Sequence, residues 1–416
     1  MKHLIYLSLF MIICAKSYAQ LSVSGQVRPR AEFYNGNNSG LSTEDNKPGF
    51  AIMQRTRLQL AFSNENVIVH FTPQYINFWG QYAETSTQGA VSIYEAWAGY
   101  KFSEKFTLQF GRQPISYGDQ RFFGALDWAA SGRAHDAFVG KWKTDKVSLD
   151  GGVTWNQVGF TNDINTFNNT GAASVKSLQY LWLTAGKEDF SYAGMVANVV
   201  TETDPGIYYA YTTIGVMPKV KLSDNFSLSA SGYFQFGKFK GTKLGGSLFS
   251  IEGTYKAGKM PLTAGADIVS GDKEDTQGKN ETWKQQFGTN HKFYGYMDFF
   301  YVGEQPSMGL NDFYVKTSFA TGKKSKLITH LHYFTANQSF TDEISDTGVS
   351  ASGYLGTELD LIYNLNISEE LNFKLGYSQL FASENFELYK NGSSETINNW
   401  AWLQLNLNTS FLKSSK

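Results

Sequence analysis

The 416-residue chain has one cysteine, Cys14, and it lies within the first twenty residues. Once those residues are removed, neither disulfides nor thiolate metal sites are available. Proline is scarce as well, at 8 against 40 glycines. After residue 20 no stretch approaches the roughly 20 apolar residues that a membrane-crossing helix needs. Mean hydropathy is −0.32, which excludes a bundle of membrane helices. Charge is also balanced: 36 basic and 37 acidic residues give −1, and loss of Lys2 and Lys16 gives −3. No nucleic-acid partner is expected.

What the sequence does contain begins with an export signal. Lys2 and His3 form a short basic start, Leu4 to Ala15 an apolar run, and Ser17-Tyr18-Ala19 a small-x-small cleavage site before Gln20. The apolar run is too short to span a bilayer as a helix. Ile13, not a small residue, precedes Cys14, which argues against a lipid-modified cysteine. The expected division is a signal peptide at 1–19 and a single domain at 20–416.

Aromatics make up 16% of the chain. An exported protein that is aromatic-rich, glycine-rich and polar on average is either a soluble all-β protein or a transmembrane β-barrel. Alternation separates the two. From Leu21 to Phe33 every odd position is apolar or small and every even one polar, which places the two sets on opposite faces of a strand. Residues 52–63 repeat the pattern, with Ile52, Thr56, Leu58, Leu60 and Phe62 opposing Arg55, Arg57, Gln59 and Ser63. Further runs set Leu355, Leu359, Leu361, Tyr363 and Leu365 against Glu358, Asp360 and Asn364, and Ala401, Leu403, Leu405, Leu407 and Phe411 against Gln404, Asn406, Asn408 and Ser410. Such runs exceed the five or six residues or so of an ordinary strand and suit the roughly 9–11 of a tilted membrane strand.

Short polar turns recur near 63–66, 103–105, 144–146, 188–189, 223–225, 257–259, 322–324 and 368–370. Longer connections lie near 35–50, 79–90, 115–133, 158–175, 202–207, 240–243, 271–310, 338–350 and 384–398. Eight turns and nine loops imply eighteen antiparallel strands, with short periplasmic turns, long extracellular loops and both termini in the periplasm. The 271–310 connection, with Trp283, Phe293, Tyr294 and Phe299-Phe300-Tyr301, leaves room for a further hairpin. Aromatic residues at Phe33-Tyr34, Phe78-Trp79, Tyr100, Phe102, Trp400 and Trp402 are expected at the bilayer interfaces. Phe411 in the last strand resembles the signal that barrel-assembly machinery reads. A soluble sandwich or β-helix is the competing architecture, but no fixed-period repeat supports a solenoid. The expected partners are therefore the outer-membrane bilayer and that assembly machinery.

An eighteen-stranded barrel is too wide for its own side chains to fill, so it holds a water channel unless loops plug it. All seven arginines, Arg28, Arg30, Arg55, Arg57, Arg112, Arg121 and Arg133, fall in the first third of the chain. Parity puts the first four on the polar face of neighbouring strands. Facing lipid would cost each about 2–4 kcal/mol near the midplane, so they face the lumen. Like charges a few ångströms apart repel by about 4 kcal/mol at an effective dielectric near 20. The patch therefore needs carboxylates or an anion. Glu32, Glu95, Asp119, Asp127 and Asp136 are candidate internal partners. Generic porins also carry charged walls; arginine rather than lysine favours a filter, because the planar guanidinium binds carboxylates bidentately.

The stretch GRQPISYGDQRFFGALDWAASGR, 111–133, alternates too poorly for a strand and is too long for a turn. Its charges and its aromatic residues Tyr117, Phe122, Phe123 and Trp128 are better satisfied against a lumen wall, so it reads as an inward-folded constriction loop rather than an external one. Arg112 breaks the pattern: the parity of Phe106, Leu108 and Phe110 points it outward unless Gly111 makes a bulge.

The frame GRQ…YGDQR…G…W…R..D, formed by Gly111-Arg112-Gln113, Tyr117 to Arg121, Gly124, Trp128, Arg133 and Asp136, resembles the alginate-export family of outer-membrane β-barrels. The Arg28/Arg30 and Arg55/Arg57 strands look like that family's opening strands. The resemblance is sharp over residues 20–145 and architectural beyond. It implies an arginine-lined constriction passing an anionic polyuronate, with Arg28, Arg30, Arg55, Arg57, Arg112, Asp119, Arg121, Arg133 and Asp136 as pore contacts. Gln59 joins them by its parity with Arg55 and Arg57. The expected solute is an anionic small molecule or polysaccharide, and a general diffusion porin or a loop-plugged barrel is the alternative. No catalytic set is legible: nucleophile elbows and helix-borne motifs are absent. His135 and Asp136 beside Arg133 would suit acid–base work but form no complete set. His330 and His332 share one strand face, yet spacing fixes no third metal ligand, so no cofactor is expected.

Overall fold

A computed structural model describes residues 19–37, 40–45, 47–157, 175–204, 206–273, 276, 278–302, 305–341, 344 and 349–413. Nearly all of the signal peptide and of the 158–175 connection lies outside these residues.

Eighteen long strands, each antiparallel to its neighbours, form one closed sheet. The first, Gln20–Asn35, pairs with the last, Asn398–Lys413, and so removes both edges. Lengths run from 8 residues in Phe106–Gln113 to 16 in the first and last strands. Eight short turns gather at one end and the longer connections at the other, as the sequence implies. By the rule for such barrels the short-turn end faces the periplasm.

Alternation decides what each strand shows to lipid. Leu21, Val27 and Phe33 of the first strand are exposed on the outside, whereas Arg28, Arg30 and Glu32 are buried within. The outer face is largely apolar, with Phe138, Val216, Ile251, Phe313 and Leu331 among its exposed residues. Phe78, Trp79, Tyr100 and Phe102 join this surface at strand ends. Tyr34, Trp400 and Trp402 do not. The two tryptophans are buried and packed inward, and Tyr34 stacks on Trp400 with ring centroids 6.3 Å apart. Their parity is that of the polar set, Gln404 and Asn406, and Trp128 supplies an apolar partner inside the lumen.

Two long connections fold into the barrel. Residues 114–134 do so as the sequence suggested, and the described residues of 270–309 join them. Among its described residues the second connection carries no hairpin. It contributes Lys279–Asn280, paired in parallel with Thr242–Leu244, and a short 3-10 turn at Asn290–Lys292. Its apolar residues Trp283, Tyr294, Met297, Phe299, Phe300 and Tyr301 are all buried. Each large side chain withdrawn from water contributes about 1.5–3 kcal/mol, so a loop with this composition is more stable packed in a lumen than extended outside it.

The two connections also pair with each other. Gly124 donates its N–H to Phe287 O at 2.8 Å, and Thr289 donates its own to Gln120 O at 2.9 Å. Phe122 meets Trp283 and Phe287 at 6.5 and 5.9 Å, while Phe123 meets Phe287 at 6.2 Å. They make a single inner body.

Candidate functional site

The site is built where the arginine-bearing strands meet the first inner loop. Arg28 and Arg55 are direct cross-strand neighbours, and Arg57 lies opposite Gln26. All four guanidiniums converge on residues 127–131. Arg28 donates to Asp127 O at 2.8 Å and to Trp128 O and Ala129 O at 3.3 Å. Arg30 donates to Trp128 O at 2.8 Å and to Glu32 Oε1 at 2.8 Å, and its guanidinium lies 3.9 Å from the Trp128 ring centroid. Arg55 bridges Gln26 Oε1 at 2.8 Å and Asp127 Oδ1 at 2.9 Å. Arg57 bridges Gln74 Oε1 at 2.9 Å and Ser131 O at 3.1 Å, with its guanidinium 3.7 Å from the Tyr94 ring.

The patch is thus compensated from within. Asp127 lies within 3.4 Å of Arg28, Arg55 and Arg57, and a run of backbone carbonyls supplies the remaining acceptors. All four arginines are at most 7% exposed, so the wall they line is covered by the loop they hold. Trp128 completes the anchor, stacked on His291 at 4.3 Å and edge-on to Trp402 at 4.9 Å.

Arg121 fastens the other limb of the same loop to the opposite wall. Its guanidinium donates to Asp267 Oδ1 at 2.8 Å and Ser250 Oγ at 3.0 Å, lies 3.1 Å from Asp119, and covers the Phe293 ring at 4.1 Å. Arg133 ties the two inner loops together, donating to Gly288 O at 2.7 Å and Gly124 O at 3.3 Å. Gln59 points into the lumen nearer the short-turn end, where it accepts from Ser24 Oγ at 3.1 Å.

Arg112 and Asp136 require a correction as pore contacts. They pair at 3.2 Å across neighbouring strands on the outer-facing side, with side chains 40% and 63% exposed. Gly111 does have a positive φ of 113°, and a Cβ there would stand 2.4 Å from Ala96 O. The strand nonetheless keeps an unbroken register, so Arg112 stays on the side of Phe110. Among the expected internal carboxylates, Glu95 accepts from Thr72 Oγ1 at 3.0 Å rather than from an arginine.

Two cavities flank the inner body. One, of about 690 Å³, opens at the short-turn end and is lined by Arg121 with Lys143, Lys146, Lys187, Lys219, Lys292 and Lys316. Asp119, Asp145 and Glu252 are its acidic residues, so seven basic groups face three acidic ones. The other, of about 450 Å³, lies toward the long loops and combines Arg30, Glu32 and Asp298 with Tyr34, Trp128, Tyr296 and Trp400. The two share no lining residue. Except for Asp119 and Arg121, the charged groups of the first cavity were missed by sequence reasoning. Lys219 and Lys316 are legible as members of a polar face, but which wall lysines stand level with one another depends on strand stagger.

Residues 19–400 match the family model described as alginate export. The chain belongs to the alginate export family. Among solved structures, this member resembles the outer membrane protein OprD from Pseudomonas aeruginosa, at 12% identity, a TM-score of 0.62 and coverage of 95% of each chain. OpdL of the same organism is similar at 11% identity and a TM-score of 0.62, covering 94% of this chain and 99% of that one. OccAB1 of Acinetobacter baumannii follows at 10% identity and a TM-score of 0.61, covering 96% and 99%. At such identities the likeness concerns the fold, which is that of an outer-membrane porin-like channel. No curated protein matches the chain significantly.

Proposed function

We propose that the protein is an anion-selective outer-membrane channel whose constriction loop is held in place by the arginine cluster. The observation that carries this reading is the seven-to-three excess of basic over acidic residues around the cavity at the short-turn end. Low-dielectric walls focus such a charge difference, raising the local concentration of anions and excluding cations. The four wall arginines act one step removed: they position residues 127–131, which set the width of the passage, and Asp127 occupies the place a solute carboxylate would take.

Acidic saccharides are the solute class that fits best. The cavity toward the long loops offers aromatic faces from Tyr34, Trp128 and Trp400 beside the Arg30 guanidinium. Sugar rings stack on such faces, and carboxylates pair with such cations. The test is block of ion current in a planar bilayer by an oligouronate and by a neutral oligosaccharide of equal length. The acidic one is expected to block at concentrations at least about tenfold lower; equal block would refute the assignment.

A second reading, a barrel closed by its own loops, is favoured by the complete burial of Trp283, Phe123 and Tyr294 within the lumen. Bilayers into which correctly folded protein inserts without conductance steps would decide for it. Delivery to the membrane by an export signal at 1–19, and insertion by the barrel-assembly machinery, complete the proposal. Phe411, exposed on the outer face of the closing strand, supports the latter.

A further inference from the structure

We propose that His330, His332 and Asp360 form a binding site for a divalent transition-metal ion of the zinc class, built into the lumen wall. His330 and His332 lie two residues apart on strand Ser325–Thr335 and so share a face. Asp360, on strand Tyr354–Asn366, is the direct cross-strand partner of His330. One ligand atom from each of the three lies within 4.8 Å of the others. Neighbouring ligands in a tetrahedral zinc shell stand about 3.3–3.5 Å apart, given bonds of about 2.0–2.2 Å. The ligand atoms must therefore draw together by up to about 1.5 Å on binding, His330 being the least buried of the three.

The hydrogen bonds around the cluster favour a cation over a proton. His332 Nδ1 lies 2.9 Å from both carboxylate oxygens of Asp312, an arrangement that places the ring proton on Nδ1 and leaves the Nε2 lone pair free. That lone pair faces Asp360 Oδ2 at 3.9 Å. Asp360 is 1% exposed; its Oδ1 accepts from Ser378 Oγ, and its Oδ2 has no donor other than the carboxyl of Glu358, two residues away on the same strand face. Two acceptors therefore point at each other across a gap too long for a shared hydrogen bond. A buried acceptor left in this state is destabilising, and a metal ion between the two removes that cost.

The surroundings suit the same ion. A carboxylate hydrogen-bonded to the far nitrogen of a ligating histidine is the usual outer support of a metal site, and Asp312 stands in that position. Glu358, opposite His332, adds a third buried carboxylate and accepts the Met297 N–H at 2.9 Å. Against these, Lys316 beside His330 is the basic neighbour. Two imidazoles with one carboxylate select borderline metals over magnesium or calcium, which take oxygen shells. Tyr314 and Lys316, the cross-strand partners of His332 and His330, line the cavity at the short-turn end and mark the route of entry.

The test uses tag-free, detergent-solubilised full barrel, stripped with chelator and equilibrated with zinc chloride, with bound metal measured per chain after gel filtration. About one zinc per chain is expected, and cobalt in its place should give visible d–d absorption. His330→Ala, at a half-buried position, and Asp360→Asn should each weaken retention at least about tenfold, with heat-modifiable gel mobility confirming that the barrel is folded. Wild-type protein that retains no zinc would overturn the proposal. So would variants that retain as much as wild type.

Discussion

The Arg55 guanidinium, 1% exposed, lies 2.9 Å from the Asp127 carboxylate, and this contact fixes the tip of the inner loop to the barrel wall. Arg28 and Arg57 reach the same carboxylate from either side at 3.4 Å. Three cations that would repel one another on an open wall are held together because the loop brings the counter-charge to them, while the fourth, Arg30, pairs with Glu32 on its own strand. The relationship makes loop position and wall charge one property, so changing either is expected to change the other.

Replacing Arg55 by alanine removes the contacts to both Gln26 and Asp127. Arg55 is buried, but Asp127 is 63% exposed and keeps Arg28 and Arg57, so the loss is about 1.5–3 kcal/mol, that of hydrogen bonds to a charged group, and it loosens residues 127–131 on the wall. The expected outcome is a larger, noisier single-channel conductance and faster amide exchange at 127–131. Arg55→Lys should not restore the wild-type values, because an ammonium lacks the planar fork that spans two acceptors. Full rescue by lysine would count against the anchoring role.

Asp127→Asn tests the same anchor from the other side and should act more gently. The carboxylate is 63% exposed, so solvent screens it, and the backbone carbonyls of 127–130 continue to accept from Arg28, Arg30 and Arg55. A loss of about 1 kcal/mol is expected. Conductance should rise less than in Arg55→Ala, while anion preference should increase, because a fixed negative charge has left the constriction. Reduced anion preference in the variant would argue that Asp127 does not face the passage.

Arg112 and Asp136 provide the contrasting case. Their pair is exposed on the outer side, where such contacts contribute about 0–1 kcal/mol. Alanine at either position should leave conductance and selectivity unchanged in the bilayer assay. A shift in selectivity comparable to that of Arg55→Ala would return Arg112 to the pore.

How these residues divide follows from what a sequence can encode. Strict alternation assigns a face to each strand residue, so the inward position of Arg28, Arg30, Arg55, Arg57 and Gln59 was legible. The same rule pointed Arg112 outward, and it was the family resemblance that drew that residue into the expected site. Trp400 and Trp402 carried inward parity too, but their aromatic character suggested the bilayer interface until Trp128 was found packed against them. Loops have no period. Nothing local in residues 270–309 indicates that Trp283 lies against Phe122, or that Met297 donates to Glu358, more than sixty residues further along or well over a hundred back. Likewise, the meeting of His330 with Asp360 depends on strand register, which hairpin geometry fixes and residue type does not.

Lys292 gives the pH dependence a sign. Burial lowers the affinity of its ammonium for the proton, and although Asp119 opposes this, the balance stays below the ordinary lysine range, with Arg121 acting in the same direction as burial. The group therefore loses its charge at a lower pH than a free lysine, which titrates at about 10.4. Anion preference should decline as pH is raised toward that range. Lys292→Gln should start lower and titrate less over the same interval. A wild-type preference that strengthens on alkalinisation would contradict the assignment.

The central claim is that the passage beside the arginine-held loop favours anions, and reversal potential under a potassium chloride gradient measures this most directly. The intact protein in a planar bilayer should give a potential of the sign set by chloride, reduced in Lys292→Gln and further reduced when Lys316→Gln is added. A potential of the sign set by potassium in the intact protein would contradict the account.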